Sequence, residues 1–160
     1  MSHADPDASG GFVGLRTHHD RGALVRAVLE GVAFALRDSL ELLDGLSSPP
    51  QAARFSGGGG RSDLWLDIIA AVLDLPLEIC HVQEGAAYGA AMLGGVAAGV
   101  WHAVPDAVDA CVRVTRTIEP RAEWVARYAE MRPAYGALYP ALHAIQHAAD
   151  ESRTGSMSES

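Results

Sequence analysis

Ala53-Arg54-Phe55-Ser56-Gly57-Gly58-Gly59-Gly60-Arg61-Ser62 is the stretch on which the fold turns. A short run fit for a strand, Gln51 to Ser56, passes into four consecutive glycines, and Ser62 then stands where a helix N-cap belongs. Beyond it Leu64, Trp65, Ile68, Ile69, Val72 and Leu73 recur at helical spacing and mark the expected core face of that helix. Pro76 then opens Leu77-Glu78-Ile79-Cys80, a second strand. Residues 52–80 therefore predict one βαβ unit with a glycine loop after its first strand. Glycine permits positive φ and carries no Cβ, so backbone N–H groups in such a loop can approach a ligand closely. Placed before a helix they also meet the positive end of its dipole, which suits a phosphate or the nucleoside beside it. A flexible turn with no ligand has the same spacing, and the spacing alone leaves both readings open.

On the N-terminal side, Leu24, Val28, Val32, Leu36, Leu40 and Leu43 step by three or four and predict one long helix with a single apolar stripe, N-capped by Asp20. Ser47-Ser48-Pro49-Pro50 ends it. Residues 1–18 read as a loop, with Gly10, Gly11 and Gly14 against a regular helix and Phe12, Val13 and Leu15 as a short apolar patch. On the C-terminal side, Glu84 to Val100 is a Gly/Ala-rich helical run, and each interior glycine (Gly89, Gly94, Gly95) costs about 1 kcal/mol relative to Ala. A helix carrying that penalty is expected to hold its backbone close to something else. Residues 105–112 read as a short helix and 113–118 as an extended segment. Pro120 to His147 is a further amphipathic stretch with Trp124, Tyr128, Met131, Tyr135, Leu138 and Leu142, which Pro133 should kink or divide. One domain over 1–147 and a disordered tail over 148–160 are expected.

With 160 residues, 49% of them hydrophobic, the chain can bury one real core. All 12 basic residues are Arg, so no P-loop, Schiff-base or protein-kinase lysine is available. A net charge of -8 argues against a nucleic-acid partner. No apolar run reaches the ~18 residues of a membrane span, and the polar start lacks a signal-peptide core, so a cytoplasmic protein is expected. Cys80 and Cys111 have no metal-binding or redox spacing. His143 and His147 stand at i, i+4 without an evident third ligand, and no Ser–His–Asp set or acid–base carboxylate pair stands out, so neither a metal site nor a catalytic residue is assigned. A dinucleotide-binding alternative rests on Gly57-x-Gly59, Ser62 and an acid at Glu78, although Glu78 falls inside the second strand rather than at its end.

Four separated stretches together resemble one family. They are Asp5-Pro6-x-Ala8-x-Gly10-x-Phe12-x-Gly14-Leu15, Leu24 to Phe34, Ser56-Gly57-Gly58-Gly59-Gly60-Arg61-Ser62-x-Leu64-Trp65, and Glu84-Gly85-Ala86-Ala87-x-Gly89-Ala90-Ala91. In that order they are similar to the C-terminal domain of FGGY carbohydrate kinases, closest to the xylulokinase branch, from about residue 4 to about 142. The resemblance implies a helix-rich α/β fold, part of an actin-like ATPase (ribonuclease H-like) domain. It implies an adenosine loop with Gly57, Gly58, Gly59 and Ser62 as nucleotide-binding residues, in which the backbone around Gly58 and Gly59 contacts the α-phosphate or ribose and Ser62 lies near the adenine edge. It also implies ATP with Mg as co-substrate, and a small-residue hinge helix at Glu84–Ala91. Ser9 stands where relatives usually carry Arg, and Ala23 where a polar residue is common. The family's phosphate-1 motif, sugar pocket and catalytic aspartate have no counterpart in these 160 residues. The expectation is thus a C-terminal part of a D-xylulose-phosphorylating kinase, inactive alone, taking sugar only with the N-terminal domain. A complementing chain, or self-association as a non-catalytic interaction module, is the alternative way to cover its apolar surface.

Overall fold

The computed structural model describes Asp5, residues 8–43, 49–82 and 85–157, leaving aside the side chains of 144 and 146–157. Pro6, Ser47, Ser48, Glu84 and 158–160, which carried expectations above, lie outside it. Residues 8–18 hold no helix or strand. Asp20 then caps helix α1 (Arg21–Glu41), its carboxylate accepting from the Ala23 amide at 2.8 Å. The predicted single stripe divides in two. Leu29, Ala33, Phe34 and Leu40 face the core, whereas Val28, Val32, Leu36 and Leu43 of the expected stripe stay 42–53% exposed. The face centred on Ala33 packs in the core, and beside it Arg37 donates to the Leu73 carbonyl at 2.6 Å.

The βαβ unit forms as expected. Strand β1 (Ala53–Phe55) leads through a 3₁₀ turn (Gly58–Arg61) into helix α2 (Asp63–Leu73), and strand β2 (Leu77–Cys80) returns parallel to β1 with Ala53 opposite Leu77. Helix α2 ends at Asp74 in the left-handed region, φ 54°. Leu66 and every residue from Ile68 to Leu73 are buried, so α2 is covered around most of its circumference, while Asp63 and Asp67 on its remaining edge pair with Arg116 and Arg121. The expected core face needs correcting at one end: Leu64 is 43% exposed and Trp65 only half-buried, while Leu66 is fully buried. Periodicity implies one apolar face, and here α1, α5 and the sheet enclose the helix from several directions.

Helices α3 (Gly85–Ala97) and α4 (Val104–Cys111) pack against each other and lead to strand β3 (Val114–Ile118), antiparallel to β2. The sheet order is β1-β2-β3. Helix α5 (Ala122–Met157) runs unbroken through Pro133 and Pro140, so Pro133 does not divide it, and its backbone stays helical into the 148–160 segment read as a tail. Ala148, Ala149, Glu151 and Arg153 are adequate helix formers there. Against α1, Tyr128 donates to Glu30 at 2.9 Å, Tyr135 donates to the Gly31 carbonyl at 3.1 Å, and Arg132 pairs with Asp38 and Glu41.

Candidate functional site

Because β1 and β2 are parallel, the segments that leave their C-terminal ends emerge on one side of the sheet, where open α/β folds bind ligands. The glycine loop leaves β1 there. Gly57 sits at φ 108°, a conformation closed to L side chains, and a Cβ on Gly57 or Gly58 would meet nothing within 4 Å. Gly59 and Gly60 are different. A Cβ on Gly59 would lie 3.0 Å from Trp65 Nε1 and 3.3 Å from the Phe55 ring, and one on Gly60 3.7 Å from Phe55. The loop thus has a first half with open space beside its Cα atoms and a second half set against two aromatic rings.

The Gly60 amide donates to the Gly57 carbonyl and the Ser62 amide to that of Gly59, closing the 3₁₀ turn. The amides of Gly58 and Gly59 precede the first of these bonds and have no partner within the turn. Ser62 Oγ accepts from the Trp65 amide at 3.3 Å and caps α2. Its hydroxyl proton remains available to a second acceptor. Asp63, at the first turn of α2, is paired with Arg116 at 2.6 Å. The four residues singled out by sequence, Gly57, Gly58, Gly59 and Ser62, are therefore contiguous at the mouth of the βαβ unit.

The segment after β2 comes to the same place. A Cβ on Gly85 would fall 2.8 Å from Ser56 Oγ, so the start of α3 sits against the residue that opens the glycine loop. Sequence reasoning treated these two motifs separately and did not single out Ser56 or Phe55; the parallel strand pair was the signal that joins them. Of the three interior glycines of α3, one has the close neighbour its cost demands. Gly95 lies under Trp101, whose ring would stand 2.2 Å from an added Cβ, whereas Gly89 and Gly94 face open space. Tyr88 donates to the Cys111 carbonyl at 2.9 Å and tethers α3 to the end of α4; desolvation first, then Cys111, raises its phenol above the ordinary value.

Glu78, the acid of the dinucleotide alternative, lies in the middle of β2 and accepts from Arg54 Nε across the parallel pair at 3.1 Å. It lies inside the strand rather than at its end and is already paired with Arg54, which counts against that alternative. Exposed His143 stands 3.9 Å from the Asp5 carboxylate, and among the described residues no group of three His, Cys, Asp or Glu could hold a metal ion. No helix among them is long and apolar enough to cross a membrane.

The architecture is that of an actin-like ATPase domain, helix-rich with a small mixed sheet, seen in part. Residues 2–98 match the FGGY family of carbohydrate kinases, C-terminal domain, and the chain belongs to that family. It is similar to the xylulose kinase of Escherichia coli (strain K12), 32% identical over 141 residues, covering 88% of this chain and 29% of that protein. The crystal structure of xylulose kinase from Rhodospirillum rubrum superposes with a TM-score of 0.76 at 38% identity, over 89% of this chain and 29% of that one. Similarity extends to the glycerol kinase of Haemophilus influenzae, 37% identical over 117 residues, covering 72% of this chain and 23% of that protein. The chain spans under a third of the length of the relatives it matches.

Proposed function

We propose that this chain is the nucleotide-side part of a xylulose-kinase-like enzyme, whose complete form transfers the γ-phosphoryl of ATP to D-xylulose, giving D-xylulose 5-phosphate and ADP. The observation that supports the reading is the glycine loop itself: it leaves the C-terminal end of β1 with Gly57 at positive φ, open space beside Gly57 and Gly58, and Ser62 capping α2 directly after it. In this reading the amides of Gly58 and Gly59 hold an α-phosphate or ribose oxygen and Ser62 meets the adenine edge. Phosphoryl transfer is chiefly positioning plus charge stabilisation. This loop positions the nucleoside end and touches no reacting atom, so none of the described residues is assigned a catalytic role. ATP with Mg²⁺ is the co-substrate this reading implies, and none of the described residues is assigned to the metal. The enzyme works in the cytoplasm, in xylose use.

Titration of the 160-residue chain with ADP and ATP, followed by calorimetry or NMR, should give weak binding with shifts centred on residues 57–62. Silence from that loop up to millimolar nucleotide would leave the family and fold standing and remove the adenosine role. A coupled ADP-release assay should show no D-xylulose-dependent turnover by the chain alone.

A further inference from the structure

Phe55, Ile79 and Arg116 lie opposite one another in β1, β2 and β3 and form one row across the sheet. Residues in one row share a face of the sheet. On that face the Phe55 ring lies against Gly59 and Gly60 of the loop. Arg116 reaches Asp63, the first residue of α2, at 2.6 Å. Strand β3 is thereby tied to the residue that directly follows Ser62. The pair adds little to stability, since the Arg116 side chain is 46% exposed and that of Asp63 75%. What it changes is the charge beside the loop. The Ser62 amide lies 3.2 Å from the Gly59 carbonyl, so Asp63, one residue on, stands within one Debye length of the loop, about 8 Å at physiological salt. An unpaired carboxylate there would cancel the positive charge of Arg61 and repel an anion. One helical turn further along the same edge of α2, Asp67 pairs with Arg121 at 2.6 Å in the same way, but farther from the loop.

From this geometry, and resting on the nucleotide reading of the loop given above, we infer that Arg116 is a positioning residue of the site. By holding and neutralising Asp63 it lets the loop accept phosphate groups, and so sets a preference for nucleoside di- and triphosphates over the uncharged nucleoside. Arg116 acts through Asp63 and needs no contact with the ligand. The chain as a whole carries a net charge of -8, so an anionic ligand depends on such local compensation.

The test titrates ADP and adenosine, by NMR at low salt, against the 160-residue chain and its variants, and reads the ratio of the two affinities. Arg116→Gln leaves Asp63 unpaired and should weaken ADP roughly threefold to tenfold, with adenosine unchanged. Asp63→Asn leaves Arg116 unpaired and should tighten ADP by a similar factor. The double variant should return to the parent ratio, and Arg116→Lys, which keeps the charge, should stay close to it. Salt at about 1 M should erase the differences. Arg121→Gln, which frees the more distant Asp67, should move the ratio less than Arg116→Gln does.

A merely structural pair gives another pattern, in which both single substitutions weaken ADP and adenosine alike. That pattern, a ratio that none of the substitutions moves, or a double variant that fails to restore it overturns the inference. If Arg116→Gln does not fold, Asp63→Asn still decides, because an ADP affinity no higher than the parent's contradicts the inference. A parent chain whose residues 57–62 stay silent towards ADP sinks the nucleotide reading and this inference with it. Binding at residues 57–62 with an unmoved ratio sinks the inference alone.

Discussion

Helices α2 and α3 are both strongly apolar and of similar length, yet seven residues of α2 are buried and none of α3 is. The difference lies in what the side chains can reach. Leu66, Ile68, Ile69 and Leu73 project far enough to meet α1, α5 and the sheet at once, and each such side chain contributes about 1.5–3 kcal/mol on burial. Helix α3 is mostly Gly and Ala, and its few larger side chains, Leu93 among them, find only the slight α4 as a neighbour and stay unburied. Apolar composition alone does not place a helix in a core. Volume and surrounding elements do.

The sharpest way to break this comparison is a matched pair of truncations. Leu66→Ala should cost about 2–5 kcal/mol in urea unfolding, whereas Leu93→Ala, at a position 58% exposed on α3, should stay within about 0.5 kcal/mol. Comparable losses would show α3 to be as much core as α2. Next come two glycines of α3 itself. Gly95→Ala drives a methyl into Trp101 and should destabilise by about 1–3 kcal/mol. Gly89→Ala enters open space and should stabilise by up to about 1 kcal/mol. If both changes have the same sign in thermal unfolding, the Trp101 contact is not what fixes the helix.

A smaller effect is expected at the entrance to α2, where Ser62→Ala removes the cap and should cost about 1 kcal/mol. The last concerns alkaline pH. Tyr128 belongs to the core around α2, and burial first, then its bond to Glu30, pushes its phenol up to about 12. Between the ordinary value near 10 and about 12 the unfolded chain has lost this proton and the folded chain keeps it. Its contribution is therefore complete below pH 10 and fades as pH climbs through that window. Tyr128→Phe should make the alkaline decline of stability shallower; an unchanged slope would detach Tyr128 from the titration.

What was legible in the sequence is what local chemistry decides. Asp20 and Ser62 announce their caps, Pro76 opens β2, and the glycine run interrupts β1 and α2 at the residues found in the structure. The family followed from four motifs in order. What was not legible depends on partners distant in sequence. The stripe of α1 could not reveal that its Ala33 side wins the core and its Val32 side does not. Nothing near Leu66 announces that it will be fully buried, and the contact of Gly85 with Ser56 follows from two strands running parallel. The adenosine role of Gly57–Gly59 and Ser62 rests on resemblance together with loop geometry.

The clamps between α1 and α5 join residues 94 to 104 positions apart: Arg132 with Asp38, Tyr128 with Glu30, and Tyr135 with Gly31. On a translating ribosome, α1 therefore leaves the exit tunnel well before the residues that hold it are made. At about 5–20 residues per second the delay is roughly 5–20 s. Throughout that interval both faces of α1, the one α5 will cover and the one it never covers, are open to chaperones.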